Sequence, residues 1–122
     1  MRSSRSGFTL IELLVAMVVL GILVTIGISN FSTAADKSAD AAAVSDLRNA
    51  MSAEEAYRVD HEAYADPAQL PLTLSEGVSL GGSATNAGFS LTARHQRSSS
   101  TYSIQVGGGG SADGLIVKQA AN

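Results

Sequence analysis

At 122 residues, with 11 acidic against 8 basic side chains and a formal net charge of −3, the chain forms one small domain at most. It has no cysteine and no Trp, with two His, three Tyr and three Phe. Disulfide staples, thiolate metal sites, a Cys nucleophile and a large aromatic ligand pocket are thereby excluded. Setting aside Arg2 and Arg5 leaves 8 − 2 = 6 basic residues against 11 acidic, a balance of −5 that does not fit a nucleic-acid-coating surface.

The first element is a short basic leader, MRSSRSG, followed at once by an apolar run from Phe8 to Ile28. That run of about 21 residues is long enough to cross a bilayer core of ~30 Å as a helix. Arg2 and Arg5 orient it with its amino end on the cytoplasmic side. Its one charge is Glu12, and an acidic group inside a membrane helix costs roughly 2.5–3.5 kcal/mol at the centre. Such a residue calls for a functional partner. A single-pass anchor gives the glutamate nothing to do. Nor does a secretory signal peptide cut near Ser32-Thr33-Ala34-Ala35, and its apolar region is usually only about 7–15 residues long.

Gly7-Phe8-Thr9-Leu10-Ile11-Glu12-Leu13-Leu14, with the basic leader before it and the apolar helix after it, resembles the class III signal of type IV pilins and of the related type II secretion pseudopilins. The resemblance covers roughly the first 24 residues. It implies cleavage between Gly7 and Phe8 by a prepilin peptidase, N-methylation of Phe8, and a role for Glu12 in assembly and axial register. In that family the glutamate is thought to meet the terminal amine of a neighbouring subunit. Here Glu12 lies one helical turn from the amine that cleavage would create, so pairing within a chain and between chains are both open. Gly7 suits a cleavage site, because a residue without a Cβ lets the backbone lie close to a protease.

Residues 34–60 contain no Gly or Pro and are rich in Ala and charged residues, which predicts that the helix continues to about Asp60. Ala43/Val44, Leu47, Ala50/Met51, Ala53 and Tyr57 recur at three- and four-residue steps and mark one face to be covered, while Asp46, Arg48, Ser52 and Glu55 fall mostly elsewhere. Gly21 and Gly27 weaken the helix by roughly 1 kcal/mol each against Ala and are candidates for local melting in a filament. They equally suit close helix packing. Many type IV pilins have a proline where this chain has Ser29, so the resemblance is incomplete there.

Pro67 and Pro71 end the helix and begin a loop. Phe89, Leu91 and Ala93 alternate with polar residues, as do Tyr102, Ile104 and Val106, the period of half-buried strands. Val78–Leu80 and Leu115–Val117 are shorter candidates. The expected fold is α+β: a long N-terminal helix, transmembrane in its first half, packed against an antiparallel β-meander of three to four strands. The expected organisation is a leader 1–7, a transmembrane or filament-core helix 8–28, an amphipathic continuation 29–62, and a loop plus sheet 63–122. Residues 29–122 would form one globular unit.

Other clusters read as solvated structure. Asp60, His61, Glu62 and Asp66 lack the pattern of a calcium loop and suit a helix end, so no metal is assigned. Gly107–Gly110 lacks the Lys-Ser/Thr of a phosphate cradle and suits a hairpin loop. Arg94, His95 and Arg97, followed by Ser98–Ser100, form a basic tip between two strands, with too few cations for tight nucleic-acid binding. No catalytic triad or nucleophile elbow is present, and no cofactor is implied.

The resemblance implies a structural subunit of a type IV pilus rather than an enzyme. It would sit in the inner membrane as a precursor and then in an extracellular filament. Its partners would be identical subunits, a prepilin peptidase, an assembly platform and minor pilins. The alternatives are a type II secretion pseudopilin and a membrane-anchored monomeric binding module.

Overall fold

The computed structural model describes residues 7–120. One helix, α1, runs from Leu10 to His61, starting two residues after the apolar run begins at Phe8 and ending one residue past the expected Asp60. It ends where Glu62 turns into the left-handed region at φ 55°, as helix C-termini commonly do. A single 3₁₀ turn at Pro67–Gln69 follows, where only a loop was expected. Pro at its first position supplies the fixed φ that such a turn needs.

Four strands come next: β1 Val78–Thr85, β2 Gly88–His95, β3 Thr101–Val106 and β4 Val117–Gln119. They form one antiparallel sheet in the order β1-β2-β3-β4, the expected meander. The α+β expectation therefore holds, with four strands. Two strands differ in extent. β1 runs five residues past Leu80, because Gly81, Gly82 and Ser83 pair with Thr92, Leu91 and Ser90 although they show no apolar alternation. β4 begins where Leu115–Val117 was expected to end, because the turn ending at Gly114 and Leu115 takes up those positions.

The chain divides into two compact units, Met1–Ala35 and Asp36–Asn122. The core of the second is built from Ala43, Leu47 and Ala50 of α1 against Phe89, Leu91 and Ala93 of β2 and Tyr102 and Ile104 of β3. Register sets these residues opposite one another: Leu91 pairs with Ile104, Phe89 with Val106 and Ala93 with Tyr102. Small Ala side chains on the helix let the sheet approach closely, and Leu47, Leu91 and Ile104 fill the middle. Tyr64, from the loop after α1, closes one end edge-on against Phe89, with ring centroids 5.0 Å apart.

Polar ties complete the second unit. Asp46 was expected away from the core face, yet it is buried. Its carboxylate accepts the Ser75 N–H at 2.7 Å and the Ser75 hydroxyl at 3.1 Å, which fastens the loop before β1. Asp40 accepts the Ser98 hydroxyl and pairs with Lys118 of β4 at 3.4 Å. At the end of β3, Gly107 adopts φ 87° and passes so close to Ala87 that a side chain there would strike its carbonyl.

Candidate functional site

The residues with the strongest functional pattern lie at the start of α1. Gly7, Phe8 and Thr9 precede the helix and are exposed, and a Cβ at Gly7 would meet nothing within 4 Å. The backbone here is open to solvent on all sides. Arg2 and Arg5 lie outside the described residues.

Glu12 has a partner in its own chain. Its Oε2 accepts the Thr9 N–H at 3.0 Å and the Thr9 hydroxyl at 3.0 Å, while the Thr9 Oγ1 accepts the Glu12 N–H at 3.3 Å. This is a reciprocal capping box, and the Thr-x-x-Glu spacing is its sequence signature. A carboxylate in the first turn also meets the positive end of the helix dipole. Thr9 and Glu12 thus start the helix together, a local role for the carboxylate besides any pairing with a terminal amine.

From Phe8 to Phe31 every large apolar side chain is exposed, none less than 49%. The helix is long and apolar enough to cross a membrane by length and composition. Two of its hydroxyls bond back to the helix: Thr25 donates to the Gly21 carbonyl at 2.9 Å and Thr33 to the Ser29 carbonyl at 3.2 Å. Such back-bonding gives each hydroxyl a partner within its own helix. The helix is unbroken through Gly21 and Gly27, and neither glycine has a neighbour within 4 Å of a virtual Cβ.

The basic tip is held partly inside the fold. Arg94 and His95 end β2 and Arg97 lies in the following turn, where His95 Nδ1 accepts the Arg97 N–H at 3.1 Å. Both arginines are exposed, but Ser98 and Ser100 are buried, contrary to a wholly solvated turn. The reason is Asp40, which draws the Ser98 hydroxyl inward, while Ser98 Oγ in turn accepts the Ser100 N–H at 3.0 Å.

At the end of α1, His61 stacks on Tyr57 with ring centroids 3.9 Å apart, and Asp66 Oδ1 accepts the Ala84 N–H at 3.3 Å. Among the described residues no three His, Cys, Asp or Glu side chains are placed to hold a metal ion.

Residues 2–28 match the family described as the prokaryotic N-terminal methylation motif. The chain carries that motif. The match spans residues 2–6, Gly7, Phe8, Glu12 and the apolar run, and so includes the exposed Gly7 and Phe8 and most of the uncovered part of α1. The chain is also similar to type II secretion system core protein G of Klebsiella michiganensis, 36% identical over 63 residues. That stretch is 52% of this chain and 44% of the relative, so the chain matches less than half of the relative's length. Motif and similarity together support a subunit of the pilin and pseudopilin kind, and the α+β arrangement is pilin-like. Subunits of that kind are structural rather than enzymatic. The motif and the apolar helix suit insertion into a membrane as a precursor.

Proposed function

We propose that the chain is the structural subunit of a type IV pilus filament, made as a membrane precursor. It is cut between Gly7 and Phe8 by a prepilin peptidase, N-methylated on Phe8, and polymerised with identical subunits through its first helix. In this reading residues 1–7 are the leader, 8–28 the membrane and filament-core helix, 29–62 its amphipathic continuation, and 63–122 the loop and sheet. The observation that carries the proposal is the uncovered apolar surface from Phe8 to Phe31, interrupted by Glu12 alone and matched by the methylation motif.

Water is a poor solvent for that surface, so it partitions first into lipid and then against other copies of itself. Cleavage would place a cationic secondary amine on Phe8, one residue from the Thr9 N–H that Glu12 already holds. A carboxylate in a medium of low dielectric gains strongly from a cation at contact distance, whether that amine is its own or a neighbour's. Gly21 and Gly27 would allow local melting as subunits adjust to one another. Arg94, His95 and Arg97 would lie on the part of the subunit that sets surface chemistry.

One observation favours a second reading, a pseudopilin of a type II secretion system: the similarity to core protein G. Deleting the gene separates the two. Loss of sheared surface filaments with normal protein export supports the pilus; retention of exported proteins in the periplasm with surface filaments intact supports the pseudopilus. A Glu12→Leu subunit should still enter the membrane and still be cleaved, yet fail to join the filament. Normal assembly of that variant would count against a role for Glu12 in assembly, and full function of the variant with no filament formed by the unaltered chain would favour a monomeric anchored module.

A further inference from the structure

The most unusual group in the second unit is Glu54. It lies on the core stripe of α1, following Ala43, Leu47 and Ala50 at steps of four, three and four, and none of its surface is exposed. Its Oε2 accepts the Ala65 N–H at 2.9 Å, and its Oε1 has no hydrogen-bond partner among the described residues. A buried carboxylate without a counter-charge is strongly disfavoured relative to its neutral form.

The charges around it do not help. Glu55 beside it and Asp66 in the loop are both acidic. Arg58, one turn further along the helix, is committed to Tyr64: its Nη1 donates to the Tyr64 hydroxyl at 2.8 Å and its guanidinium lies 5.1 Å from the ring centroid. The strands offer Ala84 and Phe89 at this end. Their ionisable residues are Arg94, His95, Tyr102 and Lys118, and the register places Arg94, His95, Tyr102 and Lys118 at the opposite end of the sheet. Burial pushes the Glu54 carboxyl above its ordinary range; the Ala65 N–H opposes this, and the Asp66 and Glu55 charges add to it.

What Glu54 holds is the start of the loop after α1. Through Ala65 it fixes Tyr64, which covers Phe89, and Asp66, which takes the Ala84 N–H at the edge of β1. We propose that Glu54 is a proton-operated latch: neutral, it holds the Tyr64–Asp66 segment on the core, and once ionised it reaches water only by releasing that segment. The inference rests on the second unit alone and stands whichever filament the chain builds.

Linkage gives the size of the effect. In the open segment Glu54 titrates as an ordinary carboxyl, so the closed state binds more protons than the open one above about pH 4.5. The opening constant therefore rises with pH from there, by up to about tenfold per pH unit, until the closed-state carboxyl ionises, then levels off.

The test is amide hydrogen exchange at Ala65 in the full chain in detergent micelles, from pH 5 to 8, corrected for intrinsic exchange. The unaltered chain should show the rising opening constant, and Glu54→Gln, which keeps a carbonyl oxygen for Ala65 but cannot ionise, should be flat. A flat profile in the unaltered chain, or an equal slope in Glu54→Gln, overturns the latch. If Glu54→Gln does not fold, carbon-13 titration of the Glu54 carboxyl in the unaltered chain decides. A midpoint clearly above the ordinary carboxyl range supports the proposal, and one at or below that range overturns it.

Discussion

The two halves of α1 are made of one helix and meet opposite fates. Between Leu10 and Phe31 its large apolar side chains are at least 49% exposed; between Ala39 and Glu54 one stripe is buried under strands and loops of its own chain. The sequences explain the contrast. The first half is apolar all round and so has no side to give to water. The second is apolar on one stripe only, with Asp36, Lys37, Arg48, Asn49 and Glu55 exposed beside it. A sheet of four short strands can cover a stripe but not a cylinder, and the large apolar side chains of the first half are left exposed.

The contrast is sharpest in truncations to alanine. Leu47→Ala empties a site with no exposure and should cost about 2–5 kcal/mol of stability. Leu14→Ala, at 56% exposure, should change unfolding of the second unit by less than about 0.5 kcal/mol. Denaturant unfolding of both full-length variants in the same detergent compares them directly; equal losses would mean that the two halves do not differ as described. Next in size, Gly107→Ala should cost about 1–3 kcal/mol, because the position needs φ 87° and lies against the Ala87 carbonyl. Gly21→Ala, with open space around it, should instead leave the chain unharmed or slightly stabilise its helix by circular dichroism.

Asp40→Ala should have a smaller effect, about 1–2 kcal/mol, through the loss of its hydrogen bond from Ser98 and its tie to Lys118. The Ser98 hydroxyl, and then the Tyr102 and Lys118 contacts, hold the Asp40 carboxyl below its ordinary range against the opposing effect of burial. Its folded value being depressed, its contribution is present above the ordinary carboxyl value and is lost as pH falls through the lowered one. Lys118 is raised by Tyr102 and then by Asp40, so its part is full below the ordinary lysine value and is lost as pH rises through the raised one. Thermal unfolding of Asp40→Ala against the unaltered chain, from pH 2 to 7, should show the difference shrinking at the acid end. A constant difference would count against this tie.

How much of this was legible follows from what each residue signals alone. The helix was readable from the absence of Gly and Pro over residues 34–60, and β2 and β3 from strict alternation around Phe89-Leu91-Ala93 and Tyr102-Ile104. Most of β1 was not, because Gly81, Gly82 and Ser83 enter a sheet only by pairing with β2. The burial of Asp46 was hidden because its partner, Ser75, is 29 residues away. Glu54 was legible by spacing, since it completes the stripe of Ala43, Leu47 and Ala50, but a charged residue on a core stripe is easily passed over. Glu12 was read from rarity in an apolar run; its box with Thr9 was equally present in the sequence and is a local, structural use of the same carboxylate.

Maturation into a filament subunit, as proposed, turns on the Gly7–Phe8 bond. The most direct test is the intact mass and amino-terminal sequence of the protein recovered from cells. The account predicts a chain beginning at Phe8 and heavier by one methyl group. A chain still beginning at Met1 in the membrane fraction, or one beginning near Ala35, would contradict it.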